Sequence, residues 1–394
     1  MLVVLGAVGL ARFAFGMILP TMAADLGLGY KAQGILGASY FLGYLAIVAL
    51  MPWAAPRLGS KRLCVIGLAV VSAGLIAMAM GTAGIYLYAS YFVVGLGSGS
   101  AFIGAMSLPS FWFHPSHRGR AAGIATAGAG VGILLSGFVV PSIPAAFDMA
   151  TWQLTWLSFG IATGLFALLA LVVLEDRPAE LGLTAYGRPD VAAPTTAGAS
   201  PPVRRVWPFL LHLGVIYTIF AATGLTYATF IVTTMVDGFS LSKATAGLLW
   251  AGVGGLSIFS GALFGSVSDR FGYRAGMFSA LAVQAVAYGL VATETGMPGL
   301  YVSIVLFGLS AWSMPSIGAA AAGDFLGPEK VAFGFAILTI MFAAGQVAGP
   351  ASAGMLADWT GSFDLSYGIA AGLNVVAVLL CLALRLPSRA APST

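Results

Sequence analysis

Along the chain, apolar stretches of about 20 residues alternate with short segments that hold nearly all the charge. Each stretch is long enough to cross a bilayer as a helix. Lipid offers the backbone no hydrogen-bond partner, so only helices or closed barrels can span it. Barrel strands alternate apolar and polar residues over about ten positions. These stretches are apolar throughout, and the pattern predicts helices. Twelve fit, near 2–23, 33–54, 63–82, 85–109, 121–143, 153–174, 209–234, 244–267, 274–293, 299–320, 332–355 and 365–386. The first lacks a basic leader and a small-residue cleavage site, so it reads as a span and not a signal peptide. Composition agrees: 59% of residues are hydrophobic and 8% charged, where a soluble domain has about a quarter charged.

Charge then orients the spans. Arg57, Lys61, Arg62, Arg118, Arg120, Arg177, Arg188, Arg204, Arg205, Arg270, Arg274, Lys330, Arg385 and Arg389 fall on one side of the twelve-span layout, and Lys31 and Lys243 on the other. Fourteen against two is a positive-inside bias that predicts both termini in the cytoplasm. The pI near 9.1 is thus a topology signal, and nucleic acid is not an expected partner. Residues 176–206, rich in Pro, Ala and Thr, read as a flexible linker between an N-terminal bundle, 1–175, and a C-terminal bundle, 207–394. Cys64 and Cys381 lie in or beside apolar spans and suggest packing, with no disulfide framework, metal or cofactor.

The two halves repeat. "TMAADLGLGYKAQGILG" from Thr21 aligns with "TMVDGFSLSKATAGLLW" from Thr234, an offset of 213. The same offset carries Arg57 onto Arg270, Gly59 onto Gly272 and Lys61 onto Arg274. Parallel six-helix repeats predict an all-α membrane protein of two pseudo-symmetric bundles around a central cavity, with a substrate site near the midplane. One chain completes this architecture, and a monomer is expected.

Within that repeat, "GSVSDRFGYR" (265–274) resembles the signature loop G-x-x-x-D-R-x-G-x-R of the major facilitator superfamily. The resemblance implies a secondary transporter working by alternating access, with Gly265, Asp269, Arg270, Gly272 and Arg274 as a cytoplasmic gate motif. The first-half copy, "PWAAPRLGSK" (52–61), departs from it: Pro52 replaces the leading glycine and Pro56 the aspartate, so any latch there lacks its carboxylate. Tyr91 stands where proton-driven drug exporters carry an arginine, and the fifth span, "GIATAGAGVGILLSG", lacks their Gly-Pro pair. "RFAFGMILPTMAADLGLGY" looks like the first helix of a poorly characterised bacterial branch, which implies a bacterial inner membrane. "DRPAELGL" (176–183) and "GQVAGPASAGMLADWTGSF" (345–363) are similar to segments of that branch and of monocarboxylate-transporter-like members, which implies small organic acids as substrates.

The thirteen acidic residues all fall in loops or at helix ends, leaving Arg12 as the deep charge of the predicted spans. A central arginine costs on the order of 3 kcal/mol even on lenient insertion scales, and it cannot neutralise itself. Its fork suits a carboxylate, phosphate or sulfonate held by two bonds. Arg12 is therefore the expected anion-binding residue of a water-accessible cavity; a structural arginine bonded to helix carbonyls and hydroxyls is the alternative.

The spans that line the pathway in the resembled family supply the other substrate-binding candidates: Phe15, Tyr40, Tyr44, Tyr217, Tyr227, Trp312 and Gln346. Tyr and Trp shape an apolar wall and offer one hydrogen bond each. Gln284 and Asn374 are expected to bond between helices. With no buried acid for a proton relay, the open couplings are uniport, anion exchange, and symport in which the anion carries the proton; the last is preferred. Proton-driven export of amphipathic compounds is the competing function. An enzyme is not expected, since no deep cluster of nucleophile and base exists.

Overall fold

The computed structural model describes residues 1–82, 84–146, 149–187, 203–293, 295–326 and 331–384. The linker read at 176–206 lies outside the described residues over 188–202. So do Asp148, Arg188, Asp190, Glu294, Glu329, Lys330, Arg385 and Arg389, and the side chains of Arg118, Arg204, Arg205 and Asp324.

The described chain is helical almost throughout, with two isolated bridges and no extended strand among the described residues. Among the described residues, eleven helices are long and apolar enough to cross a membrane. One of them, Tyr30–Met80, runs for 51 residues and contains a residue with non-helical angles, Gly59 at φ 76° and ψ 166°. That left-handed position favours glycine, and it divides the helix into limbs α2 (30–58) and α3 (60–80). The sequence separates the same segment into its second and third spans. α1 is Leu2–Leu26, α4 Gly84–Trp112, α5 Pro115–Val139 and α6 Thr151–Val173. α7 is Val203–Thr233, α8 Lys243–Phe271 and α9 Tyr273–Ala292. α10 is Gly296–Ser310, resuming after a short turn as Ser313–Leu326; α11 is Val331–Thr360 and α12 Asp364–Ala383.

The chain forms two compact units: Met1–Ala192 with Ile231–Gly254, and Ala193–Phe230 with Gly255–Thr394. In the first, α2 and α3 pack along α4 and α6. Glycine sets the α2–α4 separation: a Cβ on Gly95 would strike the Tyr40 carbonyl, and one on Gly43 the Phe92 carbonyl. In the second, α9 packs on α10 and α12. The outer faces are as apolar as the inner ones. On α6, Trp152, Trp156, Phe159 and Thr163 are buried, while Ile161, Leu165, Leu168 and Val172 are exposed at helical spacing. A soluble protein rarely leaves so broad an apolar face in water; hydrocarbon covers it at no cost.

Candidate functional site

The first helix is not a regular α-helix. Leu5–Phe13 is a π-helical run of nine residues, closed by the Ala14 N–H donating to Gly9 O, five residues back. Such runs are rare, and they are frequent at functional sites. This one is held from both sides. Gly9 and Gly132 of α5 meet backbone to backbone, so that a Cβ on either would collide with the other. On another side the Tyr91 hydroxyl donates to Ala11 O at 3.0 Å, and the Tyr40 hydroxyl reaches Ala7 O at 3.5 Å. A carbonyl has two lone pairs, so these tyrosines add to the helix ladder without displacing it.

Arg12 sits near the end of this run. Its guanidinium lies between two rings, 4.8 Å from the centroid of Phe13 and 4.7 Å from that of Phe41. Nε and Nη2 are buried and have no hydrogen-bond partner among the described residues. The ionisable side chains within its electrostatic reach are Tyr40, Tyr44 and Tyr91, with no carboxylate among them. The magnitudes decide what this means. Two cation–π contacts give back roughly 1–4 kcal/mol together. Removing an ion from water costs several kcal/mol even after relaxation, and each unmet charged donor adds about 1–3 kcal/mol or more. The surroundings thus orient the cation without satisfying it. Among the described residues, no helix carbonyl or hydroxyl accepts from Nε or Nη2.

The structure brings four of the sequence candidates together. Phe15 stands 4.9 Å from Tyr91, and Tyr40 stands 5.2 Å from both Tyr91 and Phe41, centroid to centroid. Tyr44, half-buried and one turn beyond Tyr40, makes no hydrogen bond among the described residues. Sequence reasoning missed Phe13 and Phe41 as the rings that hold the guanidinium. It also missed Ser98, fully buried beside Tyr40 with its Oγ lacking a well-placed partner. A signal for Phe41 existed, since it follows Tyr40 directly; none marks Ser98 among the many small residues of α4. Tyr91 was noted only as a departure from an exporter pattern, and it proves to brace the π-helix.

The remaining candidates lie in the second unit. Tyr217 donates to Met314 O at 2.6 Å, with Gly318 beneath its hydroxyl. Ser303 donates to Ala287 O at 2.6 Å, so the Tyr227 hydroxyl donates to Ser303 Oγ, 2.8 Å away. The Tyr227 ring packs 4.2 Å from Phe307 and 5.4 Å from Tyr288. Trp312 is half-buried at the turn within α10, its backbone N–H donating to Ser260 Oγ at 3.0 Å. Gln346 is buried with Nε2 unpartnered. Asn374 bonds to Thr223 at 2.8 Å, and Gln284 reaches Ser310 O at 3.4 Å, so both link helices. His212 Nε2 meets Leu380 O at 2.9 Å, a helix-to-helix bond too.

In the 265–274 loop, Gly272 has φ 91° and ψ 161° and starts α9. Gly265 has no neighbour within 4 Å of a built Cβ. Asp269, Arg270 and Arg274 are exposed; Arg270 stands 5.4 Å over the Phe271 ring, and none of the three forms an ion pair among the described residues.

Residues 4–382 match the family model described as "Uncharacterised MFS-type transporter YbfB". The chain is 26% identical over 394 residues to the hexuronate transporter of Bacillus subtilis (strain 168), covering 94% of this chain and 89% of that protein. It is 25% identical over 414 residues to a putative tartrate transporter of Agrobacterium vitis, covering 98% and 88%. A solved bacterial homolog of the human lysosomal transporter Spinster, inward-facing and occupied, superposes with a TM-score of 0.78 at 13% identity, covering 100% of this chain and 97% of that one. At that identity the likeness is one of fold.

Proposed function

The chain belongs to the major facilitator superfamily of transporters, and from that premise we propose that it carries a small carboxylate-bearing anion across a bacterial inner membrane. It is a transporter and not an enzyme. The observation that carries the substrate class is Arg12: two buried donors of a fixed fork, Nε and Nη2, without a protein acceptor. A carboxylate accepts from such a fork through both oxygens. Hexuronate and tartrate, which name two relatives, both bear one. The simple monocarboxylate suggested by sequence resemblance is widened accordingly to oxygen-rich acids.

In this reading Arg12 takes the carboxylate, Phe13 and Phe41 hold the guanidinium edge-on to it, and Tyr40, Tyr44 and Phe15 form the adjoining wall. Gln346, with its free Nε2, is the candidate of the second unit. The non-helical residue Gly59 within Tyr30–Met80 supports counting that helix as two crossings, and in this reading twelve crossings form two six-helix halves, 1–175 and 207–394, with both termini cytoplasmic. The carrier works as a monomer by alternating access. Because no acid among the described residues acts on Arg12, a coupling proton travels on the anion itself.

The test is uptake of radiolabelled tartrate and glucuronate into proteoliposomes, beside Arg12→Gln and Arg12→Lys at matched protein. Loss of a charge-assisted pair of bonds, each about 1.5–3 kcal/mol, predicts a fall of roughly a hundredfold in Arg12→Gln. Arg12→Lys keeps the charge without the fork and should lie between. Undiminished uptake in Arg12→Gln would remove Arg12 from the site. Efflux of amphipathic cations by a protein indifferent to both anions would favour export.

A further inference from the structure

The first-half signature loop lost its aspartate, since Pro56 stands where the second half has Asp269. Its backbone nevertheless keeps the family shape. Gly59 at φ 76°, ψ 166° and Gly272 at φ 91°, ψ 161° are the same conformation 213 residues apart. A loop that keeps this shape places the first N–H groups of α3 with no partner inside the helix. One of them, the Lys61 N–H, donates at 2.8 Å to Oδ1 of Asp176, just beyond the end of α6. The other oxygen lies so near Gly59 that a built Cβ would stand 2.6 Å from it. Next in sequence, Glu175 accepts from Lys61 Nζ at 2.9 Å, the one salt bridge found among the described residues.

The donor of these acids is itself anchored. The Trp112 indole N–H donates to Glu175 O at 2.9 Å, and Arg177 stands 5.7 Å over the ring of Phe111. Further on, Tyr186 N–H donates to Trp112 O at 2.8 Å, and His114 N–H to Tyr186 O at 2.9 Å. Arg57 is engaged too, through Nη1 to Trp53 O at 2.7 Å and over the Trp53 ring at 4.4 Å. In the second loop Arg270 stands over the Phe271 ring as Arg57 does over Trp53, a Cβ on Gly272 meets nothing within 4 Å, and Asp269 and Arg274 form no ion pair among the described residues; the counterpart of 175–177 at the offset of 213 lies outside them.

We propose that Asp176 and Glu175 supply in trans along the chain the carboxylate that the 52–61 loop lacks. They make the α2–α3 corner a fixed brace of its own unit, not a releasable latch. Asp176 is then a positioning residue for transport: it caps α3 through its charge and touches no substrate. An aspartate before a helix N-terminus suits both the orphan N–H groups and the dipole. The two loops have accordingly parted in role. One commits its bases within the unit, and the other pairs none of its charges with an acid among the described residues.

The test is hydrogen exchange of the amides of residues 60–64 in full-length protein in nanodiscs. With Asp176→Ala, exchange there should quicken about tenfold, the worth of a hydrogen bond to a charged group, while α6 and α4 away from Trp112 stay protected. Unchanged exchange in Asp176→Ala, or a loss spread evenly over the unit, would overturn the proposal. If Asp176→Ala does not reach the membrane, Asp176→Asn serves, with a smaller rise at the same amides. A second readout is uptake of tartrate and glucuronate, where a lost brace lowers the maximal rate per carrier and leaves half-saturation within about twofold. That arm rests on the anion reading. A parent protein that carries neither anion counts against that reading and leaves the exchange result to decide this one.

Discussion

Two groups of tyrosines, one in each unit, donate their hydroxyls to protein acceptors, and they differ in what those acceptors belong to. In the second unit Tyr217 and Tyr227 donate to Met314 O and Ser303 Oγ, and the chain of bonds ends at protein carbonyls. Both of these hydroxyls have an acceptor, while the buried hydroxyl of the neighbouring Tyr288 has none among the described residues, and the rings around Tyr227 fill the space between α7, α9, α10 and α12. In the first unit Tyr40 and Tyr91 also donate to carbonyls, yet those carbonyls belong to the π-helical turn that carries Arg12, and the cation stays unsatisfied. The repeat sharpens the contrast: an offset of 213 places Leu225 opposite Arg12. The scaffold was duplicated, and the charge is present on one side alone. The proposed function reads the first cluster as holding an ion for a partner outside the protein and the second as packing.

The sharpest way to break this comparison is Arg12→Leu, which makes the first unit like the second. Uptake of a carried anion should vanish, a fall of roughly a hundredfold or more. Thermal stability in detergent should rise or stay level, since removal of an unmet buried ion is often neutral or stabilising. A large drop in melting temperature would mean the guanidinium is structural. Next in size is Gly132→Ala, which puts a Cβ into the Gly9 backbone. Overpacking costs about 1–3 kcal/mol, so the melting temperature should fall and the π-helical turn should shift, with uptake reduced even though no polar group has changed. Tyr91→Phe removes the 3.0 Å bond to Ala11 O, worth about 1 kcal/mol. It should weaken half-saturation for the anion more than stability. Smallest is Tyr227→Phe: about 1 kcal/mol of stability, read by thermal denaturation, with uptake unchanged. If Tyr227→Phe harmed uptake as much as Tyr91→Phe, the distinction between the two clusters would fail.

Much of this was legible in the chain, because lipid imposes simple rules. Unbroken apolar length gives the helices, and the repeat at 213 foretells that Gly59 and Gly272 share one conformation. Arg12 was visible as a charge whose partner is missing, since an inventory of thirteen acids can be completed on paper. The π-helical run was not, as no periodicity of Leu, Ala and Gly distinguishes a turn closed at five residues from one closed at four. Tyr227 looked as promising as Tyr40, for a polar-tipped aromatic reveals its role only through what its hydroxyl meets. The acid that serves Lys61 was out of reach for a plainer reason: it lies 115 residues away along the chain.

The central claim is that the Arg12 fork holds the carboxylate of the transported anion. Equilibrium binding of labelled tartrate and glucuronate to the purified protein tests it most directly, with parent, Arg12→Lys and Arg12→Gln measured side by side. The account predicts saturable binding in the parent, much weakened binding in Arg12→Lys and none in Arg12→Gln. Binding to Arg12→Gln within about twofold of the parent, a difference under 0.5 kcal/mol, would contradict it.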